Sequence, residues 1–282
     1  MKRALAANVP QTGFHFDDKT HHYFYDGKPM TGCTTILGVL AKPALVPWAA
    51  RMAVEYIKEH APLIETATPK YYEVDEPTLE AARSAHAKKR DTAADAGTDL
   101  HAEIEEMVYW TIKMNDGTFK NYPVDLRRQH SPNALYFIDW AIKENIRFIA
   151  TEQRLYSKEL WVAGTCDLIF EKDGKRYVGD IKTYKKIWDR VPLIQCAGYA
   201  LMWEEMNTVE RDVMVGPVMG NGARACERRS VIDQPIDGYC VICLPKERTF
   251  NEVDDVLWSH DTEGDKAAFE SCVRLYRYLN QK

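Results

Sequence analysis

Long apolar runs are missing from this sequence of 282 residues. No stretch approaches the roughly 18 to 20 consecutive apolar residues that a membrane-spanning helix needs. The opening residues, MKRALAANVPQTGF, also lack the apolar segment that is typical of a signal peptide. We therefore expect a cytoplasmic protein that does not associate with a membrane.

A regular cysteine pattern is also missing. The seven cysteines are odd in number and scattered along the chain, which makes a poor disulfide framework. Cys240 and Cys243 have a C-x2-C spacing, but the other cysteines are not grouped with them. Cys272 follows as many as 29 residues after Cys243, and Cys33 lies far upstream. Since an iron–sulfur cluster needs four grouped thiolates, we expect no such cluster and assign these cysteines to the core.

An excess of positive charge is the third absence. The chain has 37 Lys and Arg against 42 Asp and Glu, which gives a formal net charge of −5. No overall basic field of the kind that attracts nucleic acid is therefore present. Short basic runs do occur, but any one of them is most simply a solvated surface. A nucleic-acid enzyme is still compatible with this composition if it carries acidic metal ligands and basic residues only along its groove.

The first half of the chain predicts a small β-meander followed by helices. Aromatic-rich runs within residues 14–37 flank Asp26-Gly27, which is a strong turn signal. Residues 76 to about 114 have the apolar spacing of a helix, with an interruption at Gly97. Ser131-Pro132 is typical of the N-cap and first turn of another helix.

The second half alternates strands with helices. Three predicted strands between residues 146 and 183 precede a helix that has Pro192 in its first turn, then a buried strand and a final helix. Residues 207–236 fit no single element, and the Gly-rich segment 216–222 has no assigned role. This order predicts one elaborated α/β domain with a mixed sheet and an N-terminal helical layer.

Asp167 and Asp180 flank a predicted hairpin. Asp173-Gly174 favours a type I′ turn, and counting outward places Asp167 directly opposite Asp180, with about 4.5 to 5.5 Å between the Cβ atoms. Like charges so placed are destabilising. Lys182 projects from the same face as Asp180, because side chains alternate along a strand. The set suits Mg²⁺ or Mn²⁺, although a salt-bridged surface explains the hairpin equally well.

Two further pairs of side chains share a helical face. Gln195 and Tyr199 lie four residues apart on the helix that follows the hairpin. His101 and Glu105 have the same spacing on the long upstream helix. Each pair by itself is more simply a feature of a helix surface. Beside the two aspartates, however, His101 would complete a set of metal ligands.

Four motifs follow one another between residues 97 and 199: Gly97-x3-His101-x3-Glu105, Gly164-Thr165-Cys166-Asp167, Asp180-Ile181-Lys182 and Gln195-x3-Tyr199. In this order they resemble the PD-(D/E)XK nuclease superfamily, in its RecB-like branch with the QxxxY motif. That branch includes lambda-type exonucleases and many phage and recombination nucleases. The resemblance implies a restriction-endonuclease-like core over residues 96–282, with residues 1–95 as a meander and helical elaboration.

The resemblance also implies a metal-binding catalytic set. His101, Asp167 and Asp180 would bind Mg²⁺ or Mn²⁺, as one or two ions, together with the main-chain carbonyl of Ile181. Lys182 would be the catalytic lysine, acting with the two aspartates on water beside the metal. Asp180 stands where many relatives have Glu, and its shorter side chain can still bind a metal.

Other residues take supporting roles in the resemblance. Gln195 and Tyr199 would position the substrate backbone near the metal. Glu105 matches a variable acidic position, and Glu152 on the preceding strand would contribute through water. Candidate contacts to the nucleic-acid backbone follow the lysine strand, at Lys185, Lys186 and Arg190.

The implied activity is metal-dependent hydrolysis of DNA from free ends, in recombination, repair or replication of a phage or prophage. The setting would then be the bacterial host cytoplasm, with DNA as partner and a single-strand annealing protein as a second candidate partner. Three alternatives stay open: a structure-specific endonuclease of the same fold, a non-catalytic nucleic-acid-binding module on a nuclease fold, and a hydrolase of other phosphoesters. No motif indicates an oligomer interface.

Overall fold

The computed structural model describes residues 12–42, 45–66, 68–115, 130–183, 187, 189–215, 225–244 and 256–281. Lys185, Lys186 and the Gly-rich segment 216–222 lie outside the described residues. The chain divides into two compact units, of which the larger comprises Met1–Val39 with Glu103–Lys282. The smaller unit comprises Leu40–Ala102.

The predicted meander is confirmed at the start of the larger unit. It consists of β1 (Phe14–Asp17), β2 (His22–Tyr25) and β3 (Lys28–Gly32), paired in antiparallel order. Asp26 and Gly27 have φ values of 46° and 71°, the left-handed pair that a type I′ turn needs. A short helix, α1 (Cys33–Ile36), and a 3-10 turn follow.

The smaller unit is mainly helical. It contains α2 (Leu45–His60), a two-stranded ribbon of β4 (Leu63–Ile64) and β5 (Tyr71–Tyr72), and the first part of α3 (Glu76–Asn115). The expected interruption at Gly97 is wrong, because α3 continues through this residue. One glycine costs a helix interior only about 1 kcal/mol, which is too little to end a helix of 40 residues.

The larger unit contains the remaining elements. Ser131 caps α4 as predicted, and its hydroxyl accepts a hydrogen bond from the Ala134 N–H. Within the region 207–236, which the sequence left unassigned, residues 208–215 and 225–232 form an antiparallel ribbon of two strands, here β9 and β10. The elements are α4 (Pro132–Lys143), β6 (Arg147–Ser157), β7 (Val162–Lys172), β8 (Lys175–Lys182), α5 (Val191–Met206), β9 (Thr208–Val215), β10 (Ala225–Ile232), β11 (Gly238–Cys243), β12 (Val256–Ser259) and α6 (Thr262–Leu279).

One eight-stranded sheet forms the centre of the larger unit. Its order is β1-β2-β3-β7-β8-β11-β12, and β6 also pairs with β7. The β3–β7 and β8–β11 pairs are parallel, whereas the other pairs are antiparallel. The predicted α/β class with a mixed sheet flanked by helices is therefore confirmed.

The β7–β8 hairpin has the predicted register. Asp173 and Gly174 have φ values of 52° and 74°, as a type I′ turn requires. Pairing runs from Lys172–Lys175 to Leu168–Gly179 without a bulge. Asp167 and Asp180 are the next residues beyond that last pair, in the middle of β7 and two residues before the end of β8.

Buried apolar residues surround this hairpin. Every residue of β11 is buried, as its continuous apolar run predicted. Helix α5 packs closely on α6, because a Cβ atom at Gly198 would come within 2.6 Å of the Phe269 ring. Cys33, Cys166, Cys196, Cys240, Cys243 and Cys272 are all buried, and Cys240 and Cys243 belong to β11. No helix in that part combines the length and the apolar character that crossing a membrane requires.

Candidate active site

Two aspartates lie on neighbouring strands, each one residue beyond the last pair of the β7–β8 hairpin. The Oδ2 atom of Asp167 accepts a hydrogen bond of 2.7 Å from the Ile181 N–H. Asp180 is only 1% exposed, whereas Asp167 is half-buried. Burial raises the pKa of Asp167, against the lowering effects of Lys182 and the Ile181 N–H. Burial outweighs these two donors, so the charged form of Asp167 is disfavoured in the metal-free protein.

Lys182 supplies positive charge beside these carboxylates. Its Nζ atom lies 2.6 Å from Oδ2 of Asp180 and donates to Oε1 of Gln195 at 3.3 Å. Burial of the ammonium lowers the pKa of Lys182, but Asp180 and Asp167 outweigh that effect and hold the pKa above its usual value. The side chain is therefore a charged donor at neutral pH.

Helix α5 extends this network through Gln195 and Tyr199. The two residues lie one turn apart, and Nε2 of Gln195 donates to the Tyr199 hydroxyl at 2.9 Å. Burial raises the pKa of Tyr199, so its hydroxyl stays neutral. The Gln195 amide thus joins Tyr199 to Lys182, and through Lys182 to Asp180.

Gly164 has a packing role that its place in the Gly164–Asp167 motif does not indicate. A Cβ atom at this position would lie 2.7 Å from Cε1 of Tyr199 and 3.2 Å from Cβ of Cys33. The first residue of the Gly164–Asp167 motif is therefore small because the Tyr199 ring occupies the adjacent space. A glycine inside a predicted strand was the available signal, since it often marks the close approach of another group.

Glu152 contributes a third carboxyl group from β6. Its φ is 46°, a left-handed conformation that is unusual for a non-glycine residue and rarer still inside a strand. Burial, followed by the charges of Asp167 and Glu105, raises the pKa of Glu152 to about 8. A bulge between Phe148 and Ala150, a few residues before Glu152 in the chain, shifts the register of β6 on β7.

These carboxyl groups fit a divalent cation. The charge of Asp167 raises the pKa of Glu152, so each carboxylate disfavours the charged form of the other. A bound Mg²⁺ or Mn²⁺ would remove this conflict, and hard oxygen donors are the ligands that both ions prefer. Glu152 and Asp167, whose carboxylate oxygens lie within 4.8 Å of each other, would hold the ion, and Asp180 on the adjoining strand is the further ligand that the resemblance implies.

The remaining predicted site residues, Glu105, His101 and Arg190, do not belong to the β7–β8 hairpin. Glu105 is exposed on α3, and its effect on the pKa of Glu152 is electrostatic. His101 lies one turn earlier on that helix, in the part that belongs to the smaller unit. Arg190 binds Oδ1 of Asp265 at 3.0 Å and so connects the start of α5 to α6.

No protein-family model matches the chain, and no curated protein sequence matches it. The arrangement of the carboxylates, the lysine and the glutamine–tyrosine pair is therefore the basis for a functional proposal.

Proposed function

We propose that the protein is a metal-dependent nuclease that hydrolyses DNA phosphodiester bonds on a restriction-endonuclease-like core. One observation carries the proposal: Asp167, Asp180 and Lys182 share one end of a hairpin, and Lys182 is hydrogen-bonded to a glutamine on the next helix. Two hard ligands beside a fixed cation suit a reaction in which negative charge develops on a phosphoryl group.

Each residue has a distinct part in this mechanism. The Ile181 N–H orients the Asp167 carboxylate, and the Asp180 carboxylate forms an ion pair with the Lys182 ammonium. When bound, the metal would lower the pKa of a water and neutralise charge on the phosphoryl oxygens. Lys182 is held protonated, so it serves as a donor that stabilises the charge developing on the phosphate. Gln195 fixes the position of the ammonium group.

Several details of the proposal rest on the family resemblance alone. These are cleavage from free ends, a setting in phage recombination, repair or replication, and an annealing protein as partner. The resemblance likewise makes His101 a metal ligand. A His101→Ala variant tests this point, because loss of a ligand should raise the Mn²⁺ concentration needed for half-maximal cleavage.

The decisive test compares end-labelled linear DNA with covalently closed circular DNA, in Mg²⁺ or in Mn²⁺. Lys182→Ala and Asp180→Ala proteins are assayed beside the unaltered chain, and Lys175→Ala is the matched control. Lys175 is an exposed lysine of the same hairpin. We expect degradation of linear DNA only, with activity lost in the first two variants and kept in the control.

Other results would change the proposal. Cutting of circular DNA would indicate an endonuclease at the same site. Absence of cleavage of DNA and RNA with both metals would exclude a nuclease and leave a non-catalytic module or a hydrolase of other phosphoesters.

A thermal melt with Mn²⁺ tests the metal site without relying on activity. Binding at 100 times the dissociation constant stabilises a folded protein by about 2.7 kcal/mol. We expect the unaltered protein to show this shift, Asp180→Asn to lose it, and Glu59→Gln, which alters an exposed carboxylate of α2, to keep it. An equal shift in all three proteins would contradict a metal at Asp180.

A further inference from the structure

A row of aromatic rings lies on the N-terminal meander and the adjoining β6–β7 hairpin. All of its members are half-buried, so none is enclosed in the core. None of them belongs to the catalytic set proposed above. We call this row the aromatic face; its residues are Phe14, Phe16, Tyr23, Tyr25, Tyr156 and Trp161.

Strand alternation produces the aromatic face. Phe14 and Phe16 are two apart on β1, and they pair across the strands with Tyr25 and Tyr23 of β2. Because side chains alternate, all four lie on the same side of the ribbon. Phe24 points to the other side and is buried. The meander therefore places one aromatic residue in the core and leaves four on its opposite surface.

The rings form a continuous series. Consecutive ring centroids are 4.7 to 6.2 Å apart, which is the range of favourable aromatic contacts. Phe14 stacks on Tyr156 at 4.7 Å with an interplanar angle of 23°, so the series extends from the meander onto β6. The order along the row is Phe16, Tyr23, Phe14, Tyr156, Tyr25 and Trp161.

Two cations accompany these rings. The guanidinium of Arg154 lies 4.6 Å from the centre of the Phe16 ring, and Nζ of Lys158 lies 5.7 Å from the Tyr25 ring. Arg154 also pairs with Asp18 at 2.7 Å, but both side chains are exposed and such a pair contributes little. Aromatic rings interleaved with cations are the combination that binds bases and backbone phosphates together.

The aromatic face adjoins the candidate active site along two strands. The Tyr23 hydroxyl hydrogen-bonds Oγ1 of Thr165 at 2.9 Å, and Thr165 is two residues before Asp167 on β7. On β6, Tyr156 is four residues beyond Glu152. At about 3.4 Å per residue, that separation is about 14 Å along the strand. Since stacked nucleotides of one strand are about 3.4 Å apart, a few nucleotides span the distance between Tyr156 and Glu152.

We propose that the aromatic face stacks the bases of a single-stranded DNA segment whose backbone continues to the carboxylates. The proposal rests on the nuclease function and specifies its substrate as DNA with a single-stranded portion. Bases inside a duplex are already stacked on their neighbours, so only an unpaired strand can offer its bases to these rings. Binding by stacking would be tolerant of sequence, because every base has a flat face.

The test measures the affinity for labelled oligothymidylate by fluorescence anisotropy, in EDTA so that no cleavage occurs. Phe16→Leu and Tyr156→Leu remove the flat ring but keep an apolar side chain, which limits the loss of packing. Tyr278→Leu is the matched control, since Tyr278 is 74% exposed on α6. Thermal melts check that each variant is folded.

We expect each of the two variants to weaken binding by about 5- to 150-fold, which corresponds to the about 1–3 kcal/mol typical of one stacked base. The control and the affinity for blunt duplex DNA should not change. Unchanged single-strand affinity in both folded variants would overturn the proposal. So would equal losses of single-strand and duplex affinity, or absence of single-strand binding by the unaltered protein.

Failure of the nuclease function gives a different pattern. Lys182→Ala should lose cleavage, and replacement of Phe16 or Tyr156 in that variant should still weaken its binding of oligothymidylate. Single-strand binding that depends on Phe16 and Tyr156, without cleavage in either metal, would reject the nuclease and retain the aromatic face. Cleavage by the unaltered protein, with unchanged binding in both variants, would reject the aromatic face alone.

Discussion

At the scale of single residues, Glu152 combines a left-handed backbone inside a strand with a carboxyl group whose charged form is disfavoured. A strained backbone of this kind costs on the order of 1–3 kcal/mol and persists only where the surrounding structure holds it. Such residues cluster at functional sites. The position of Glu152 beside Asp167 therefore agrees with a role in cation binding.

The raised pKa of Glu152 predicts a pH dependence of stability in the metal-free protein. The folded chain keeps this proton up to a pKa of about 8, whereas an unfolded chain loses it near the ordinary value of 4.5. Between these values the folded state binds more protons, so the free energy of unfolding falls as pH rises, by at most about 1.4 kcal/mol per pH unit. Urea unfolding in EDTA between about pH 5 and 8 should show a flatter profile for Glu152→Gln.

Glu171→Gln is the control for this measurement. Arg147 and Arg176 lower the pKa of Glu171, so its stabilising effect is lost only below the pH range of the experiment. Its profile between pH 5 and 8 should therefore be parallel to that of the unaltered protein. An equally steep profile for Glu152→Gln would show that Glu152 does not retain its proton.

Gly164 predicts a defect that originates in packing. In Gly164→Ala the new Cβ atom would lie 2.7 Å from the Tyr199 ring, and a shift of that ring would disturb the hydrogen bond that its hydroxyl accepts from Gln195. We expect a loss of about 1–3 kcal/mol in the free energy of unfolding, together with lower nuclease activity. Denaturant unfolding and cleavage assays would measure the two effects.

Gly38→Ala is the matched control, because a Cβ atom at Gly38 would have no neighbour within 4 Å. It should be neutral or slightly stabilising, with activity retained. A stable and fully active Gly164→Ala protein would show that the Tyr199 ring has room to shift.

At the scale of elements, α5 and α6 are joined by a buried ion pair as well as by apolar packing. Oε2 of Glu204 lies 2.8 Å from Nζ of Lys266, and these side chains are 8% and 14% exposed. The other carboxylate oxygen accepts the Ile236 N–H at 3.0 Å. Glu204 thus also holds the segment that leads into β11, the strand parallel to β8.

Removal of one partner from this pair should be costly. Lys266→Met keeps most of the apolar stem but leaves the Glu204 carboxylate buried without its cation, and we expect a loss of about 3–5 kcal/mol in stability. Chemical denaturation measures this loss. A double variant with Glu204→Gln should recover part of it, because glutamine still accepts the Ile236 N–H.

Glu263 provides the control, since it also lies near Lys266, at 3.7 Å, but is 90% exposed. Glu263→Gln should change stability by no more than about 1 kcal/mol. Comparable losses for Glu263→Gln and Lys266→Met would contradict the importance of the buried pair.

At the scale of the whole molecule, the acidic balance limits how the protein can bind DNA. A formal net charge of −5 provides no general attraction to a duplex, so binding must depend on local cations. We predict weak non-specific duplex affinity that falls steeply with salt, because each phosphate contact releases a counterion. Anisotropy titrations with duplex DNA at low and moderate salt would check this, and an unchanged affinity would contradict it.

The parts of the fold that could be predicted have local causes. Asp173-Gly174 demands a type I′ turn, and such a turn determines the register of both strands outward to Leu168–Gly179. Ser131-Pro132 determines the start of α4 in the same way. The interruption expected at Gly97 failed because the local cost of one glycine is small against the helix around it.

Features that depend on distant residues could not be predicted. The parallel pairing of β3 with β7 joins residues about 130 positions apart, and no short pattern specifies it. The left-handed conformation of Glu152 is likewise invisible in a strand sequence of ordinary composition. The space that Tyr199 takes beside Gly164 also arises only when α5 packs on the sheet.

The sequence by itself determined the hairpin, the spacing of Asp167, Asp180 and Lys182, and the alternation that exposes the meander's aromatic rings. Each of these follows from turn chemistry or from strand and helix periodicity, which act over a few residues. Only the tertiary structure decided that Gln195 binds Lys182, that Glu152 acquires a raised pKa, and that Tyr156 extends the aromatic face. These outcomes depend on burial and on contacts between distant segments, which exist only after the sheet and its helices have packed together.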